Sequence, residues 1–136
     1  MTDNKINSVL KFYSLGKTHL CKIVGITRPT LYSWIKSGTS NNKIDQMYSL
    51  SKDIATNNST TIFMDFIDYP LPGHRESLLD VFIKTKDLNT SYIRNYIKDA
   101  YIASVKREEN LKKRNELSFK IYQSISEQEL NLENNI

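Results

Sequence analysis

The side chains best suited to chemistry fall in one stretch, Lys17 to Lys36, which reads KTHLCKIVGITRPTLYSWIK. Arg28, Pro29, Tyr32, Ser33 and Lys36 recur there at the three- and four-residue steps that share one face of a helix. That face carries a guanidinium, a phenol, a hydroxyl and an ammonium, with short side chains between them. A face turned towards a core has no use for this set. A face laid in the major groove of a duplex does. Base edges there offer acceptors and donors, and the flanking phosphates offer negative oxygens.

Such a face needs a scaffold, and the same stretch supplies one. Leu20, Cys21 and Val24 form the apolar side of a preceding helix, for which Thr18 is a candidate N-cap. Cys21 is small, so a second helix can cross closely over it. Gly25 ends that helix at a tight turn, where a positive φ is needed and a Cβ costs energy. Ile26 plugs the corner. Thr27 can cap the next helix, with Pro29 in its first turn, where a missing N–H costs nothing. Leu31 and Trp34 face inwards, three residues apart, and Gly38 stops the helix.

The arrangement resembles the helix-turn-helix of phage-repressor-like transcriptional regulators, and ITRPTLYSWIKSG resembles their recognition helix. It is also similar to the helix-turn-helix of resolvases and related transposon proteins. The resemblance is strongest over about twenty residues and reaches 5–55 when flanking helices are counted as a four-helix DNA-binding head. It implies base contacts from Arg28, Pro29 and Ser33, and phosphate contacts from Lys17, Thr27, Thr30, Tyr32 and Lys36. Its motif core would be Leu20, Cys21, Val24, Gly25, Ile26, Leu31 and Trp34. Two positions depart from the family pattern. Cys21 stands where alanine is usual. Pro29 stands where a hydrogen-bonding side chain is common, so it offers only apolar contact, for example to a thymine methyl.

Charge points the same way. Residues 1–43 hold seven lysines and arginines against one acid, Asp3, whereas 44–87 hold four against seven and 88–136 eight against seven. The excess of a chain of net charge +4 therefore sits in its first third, as a polyanion-facing segment requires.

The remaining elements also read as helical. The spacing predicts a first helix through Val9, Leu10 and Tyr13, a fourth from Ile44 to about Ile54, and a polar linker at 56–61. Ile62, Phe63, Phe66 and Ile67 share a helical face, although their β-branched and aromatic content also allows a strand. Pro70 to Gly73 is a break, and Leu78, Leu79, Phe82 and Ile83 form the next helix. After Thr90 a long final helix runs to about Ser126, followed by a fraying tail at 127–136. The fold class is thus all-α. The expected domains are a helix-turn-helix head at 1–56 and a helical dimerisation or interaction region at 60–126. Ile62, Phe63, Phe66, Ile93, Ile97 and Tyr101 are more apolar than a monomer of 136 residues easily hides, so they are the expected homodimer interface.

The exclusions are clear. There is no phosphate-binding glycine loop, no GxSxG and no HExxH. Asp65, Asp68, Glu76 and Asp80 lie near His74 and Arg75, but read as a polar helix face beyond a Pro-Gly turn. The single Cys21 makes no internal disulfide, and His19 and His74 lack partners at metal spacing, so no metal and no cofactor is implied. No stretch spans a membrane and no apolar signal core opens the chain, so a cytoplasmic protein fits. The expectation is a non-enzymatic, homodimeric transcriptional regulator with double-stranded DNA as partner. Alternatives are an accessory factor of replication or recombination with the same head, or an interaction module such as an antitoxin, whose C-terminal region binds a protein partner.

Overall fold

The computed structural model describes residues 4–55 and 60–134, with side chains through residue 128. Seven helices and no strand occur among these residues. They are α1 (Lys5–Phe12), α2 (Lys17–Val24), α3 (Arg28–Ser37), α4 (Asn42–Ile54), α5 (Met64–Asp68), α6 (Leu78–Lys84) and α7 (Ser91–Asn134). Polar side chains set many of the starts. Asn4, Thr27, Asn41 and Ser77 each accept a backbone N–H at the head of α1, α3, α4 and α6. Gly25 and Gly38 take left-handed φ values of 77° and 76° at the ends of α2 and α3. The expected cap at Thr18 is displaced, since α2 begins at Lys17 with Gly16 as its N-cap.

The chain divides into two compact units, one through Ser104 and the other from Val105. In the first, α1 packs on α4, α2 packs on both α3 and α6, and α5 packs on α6. Tyr13 is fully buried, edge-on to Phe12 at 4.7 Å and to Phe82 at 5.4 Å. Its hydroxyl donates to the Met47 carbonyl at 2.8 Å. Phe12 stacks on Tyr101 at 5.9 Å. Gln46 closes the α6–α7 connection, accepting from the Leu88 N–H and donating to Asp87, each at 2.9 Å. The Ile62 N–H donates to the Phe12 carbonyl at 2.8 Å, and the Ser14 hydroxyl donates to the Ile62 carbonyl. Each fully buried aliphatic or aromatic side chain in this core contributes about 1.5–3 kcal/mol.

These contacts revise the expected division. Residues 60–104 are not a separate interaction region, because they pack with the helices of the head in one core, and the compact boundary falls at Ser104. Four of the six residues expected at a dimer interface are in that core. Ile62, Ile93, Ile97 and Tyr101 are at most 6% exposed. Phe63 and Phe66 are half-buried and meet edge to face at 6.5 Å. Their apolar surface is thus largely satisfied within the chain. The segment at 62–69 is helical only over α5, since Ile62 and Phe63 precede it in extended backbone. Of the expected linker, residues 56–59 lie outside the described residues. Of the expected tail, residues 127–134 are helical backbone and residues 135–136 lie outside the described residues. Glu, Gln and Leu in that stretch all favour helix.

The second unit is the distal part of α7. Every described side chain from Glu109 to Gln128 is exposed. No helix among the described residues is long and apolar enough to cross a membrane.

Candidate nucleic-acid interface

The site is built on α2, its turn and α3. The N–H groups of Gly25 and Ile26 converge on the Cys21 carbonyl at 2.8 and 3.1 Å, which closes α2. Gly25, Ile26 and Thr27 then reverse the chain. The Thr27 hydroxyl accepts the Thr30 N–H at 3.3 Å and lies 2.9 Å from the Thr30 hydroxyl. Beneath the turn, Leu20 and Leu31 are fully buried, and Cys21 and Ile23 are nearly so.

The inner face differs from the sequence reading in two places. Ile23, rather than Val24, is buried, and Val24 is half-buried. The reason is that α2 is covered by α6 as well as α3. Trp34 is half-buried, so Leu31 is the fully enclosed anchor of α3. An indole is too large to be enclosed by two short helices.

The outer face carries the predicted set. Arg28, Pro29, Tyr32, Ser33 and Lys36 are all exposed on one side of α3. Arg28 donates to the Tyr32 hydroxyl at 3.0 Å, and its guanidinium lies 5.9 Å from the ring centre. Lys17 reaches over from α2, with its ammonium 4.8 Å from the same ring. Tyr32 therefore has two cations beside it and is 46% exposed. Both cations keep donors for an anion, since Arg28 uses one of its five N–H groups on the hydroxyl and a ring face occupies none of Lys17's. Lys36 continues this row one turn further on. Thr27 is exposed at the N-terminus of α3, where the helix dipole favours negative charge. Thr30 is set apart from the row, half-buried and bonded to Thr27, so it braces the cap instead of presenting itself for phosphate.

The electrostatic setting is one-sided. Between Asn4 and Lys43 the sequence contains no carboxylate. Two of its seven cations are engaged elsewhere. Lys43 donates to the Ile23 carbonyl at 2.7 Å, and burial pushes its ammonium below the usual lysine range. Lys5 pairs with Asp45 at 3.2 Å. Lys11, Lys17, Lys22, Arg28 and Lys36 remain exposed.

One contributor escapes a sequence reading. The side-chain oxygen of Asn4 accepts the Ile6 N–H at 2.9 Å while its nitrogen donates to the Ile35 carbonyl at 2.7 Å. It thereby pins the end of α3 to the start of α1. No local pattern announces a bond across 31 residues.

Among the described residues, the His74 region does not gather into a site. His74 stacks on Tyr96 at 3.7 Å and lies 3.5 Å from Asp99, while Glu76 pairs with Lys84. Of the acids near His74, Glu76 is thus tied into a surface pair. Among the described residues no three His, Cys, Asp or Glu side chains are grouped for a metal. No family model, no curated protein and no solved structure matches the chain.

Proposed function

We propose that the chain is a sequence-specific, double-stranded DNA-binding transcriptional regulator that inserts α3 into the major groove and acts as a homodimer. The observation that carries this reading is the outer face of α3. Arg28, Tyr32 and Lys36 form a row there, Pro29 and Ser33 lie beside it, and Lys17 reaches in from α2. Arg28 is the base-reading side chain, since its fork matches the two acceptors on a guanine edge. Ser33 and Pro29 lie close enough to read a hydroxyl partner and a methyl group. Lys17, Thr27, Tyr32 and Lys36 contact phosphates and set the position of the helix.

Selection of bound duplexes from a random pool, at about 150 mM salt to weaken non-specific binding, tests the reading. The expected result is a consensus with two-fold symmetry. Replacing Lys36 with alanine should lower the salt slope of binding by about one without altering the consensus. A pool that emerges unenriched overturns sequence specificity.

A further inference from the structure

The distal part of α7 leaves an apolar stripe in water. Leu111, Leu117, Ile121, Tyr122 and Ile125 are 38%, 59%, 51%, 69% and 50% exposed. At 100° per residue they fall within a band about 140° wide that also takes in Arg114, Ser118 and Gln128, whereas Phe119, Glu109, Lys113, Glu116, Lys120 and Glu127 lie off it. With roughly 100 Å² uncovered on each, the stripe amounts to about 500 Å². An isolated helix with this composition is only marginally stable in water, so a helical segment of this length gains from covering its stripe.

We infer that the occupant is a second copy of this chain, laid antiparallel along α7 and centred near Ile121. Two arguments select it. The first is charge. Lys112, Lys113 and Arg114 lie together near the start of the stripe, whereas residues 127–134 at the other end of the helix carry three acids and no base. An antiparallel copy sets the basic stretch of one helix beside the acidic stretch of the other. A parallel copy sets like against like. The second argument is area. Two stripes together cover about 1,000 Å², at the lower edge of specific interfaces, which fits a dimer of micromolar affinity. In this register Ile121 meets Ile121 of the other copy, and Leu117 lies opposite Ile125. The pairing gives a face to the homodimer named above and rests on that reading only for its role on DNA.

Sedimentation velocity of the full chain without DNA, from about 1 to 100 µM, tests it. The expected result is a reversible monomer–dimer equilibrium, abolished by Ile121→Asp with the circular dichroism of the helices retained. Lys112→Glu, Lys113→Glu and Arg114→Glu together should weaken the dimer about tenfold, because each reversed stretch then meets the acidic stretch of the other copy with like charge. Under oxidising conditions Leu117→Cys combined with Ile125→Cys should crosslink, whereas Leu117→Cys alone should not. The native Cys21 is buried and gives a clean background. A monomer at every concentration, a charge reversal without effect, or crosslinking by Leu117→Cys alone overturns the antiparallel pair. Because no DNA is present, a failure of the DNA reading leaves these outcomes unchanged.

Discussion

Two helices of this chain expose a long face to water, and they expose opposite chemistry. The face of α3 carries Arg28, Tyr32, Ser33 and Lys36, and rests on a buried Leu31. The face of distal α7 carries Leu117, Ile121 and Ile125, and Ile121 has no core beneath it. The first is a platform of hydrogen-bond donors, braced by α2 and by the Asn4 bond to the Ile35 carbonyl. The second is apolar surface on a helix that nothing else in its own unit supports. Donors on a braced helix suit a polar, patterned partner, whereas an unbraced apolar stripe suits a partner that also completes the fold.

The sharpest way to break this contrast is to truncate one apolar residue in each region. Leu31→Ala should cost about 2–5 kcal/mol in urea unfolding, since it opens a cavity under α3. Leu117→Ala, measured on dilute monomer, should fall within about 0.5 kcal/mol of the native chain. Equal losses would mean that distal α7 has a core of its own. Next in size, Arg28→Ala should cost about 1–3 kcal/mol on the selected duplex and relax the base preference at one position. A uniform loss on all sequences would make Arg28 a phosphate contact instead. Gly25→Ala follows, at about 1–2 kcal/mol of stability. A Cβ there meets nothing within 4 Å, so the whole cost is the positive φ of 77°.

The smallest effect concerns pH. Burial pushes the Tyr13 phenol well above its usual value of 10.0, and Tyr96 shifts upward for the same reason. In the unfolded chain these phenols release their protons near pH 10, while in the folded chain they keep them. The unfolded state then binds fewer protons, so stability holds below pH 10 and falls as the pH rises beyond it. Tyr13→Phe should lose about 1 kcal/mol at pH 7, where its bond to Met47 is missed, and should flatten the alkaline decline. An unchanged decline in chemical denaturation at pH 11 would count against Tyr13 as its source.

Much of the α2–α3 region was legible because its signals are local. Thr27, Pro29 and Gly38 bound α3 by cap, first-turn and stop chemistry, and Gly25 marks the turn. The outer face of α3 follows from spacing alone. What escaped reading depends on partners far away in the chain. Ile62, Ile93, Ile97 and Tyr101 have the composition of an interface, and a single sequence does not tell whether the opposite surface belongs to the same chain. Here it does, since Phe12 stacks on Tyr101 and accepts from Ile62, and all four are at most 6% exposed within the chain. Ile23 and Val24 are neighbours of like hydropathy, and only the covering by α6 decides which one turns inwards. The stripe on α7 was visible as Leu117, Ile121 and Ile125, but its exposure was not.

Cys21 lends the molecule a clock. Its thiol is 8% exposed, in the helix whose end is closed on its own carbonyl. A thiol reagent reaches a buried cysteine through local opening, so the labelling rate counts openings around α2 without any added probe. A duplex that grips α3 should slow that clock in proportion to its occupancy, whereas pairing at Ile121 should leave it running at the same pace.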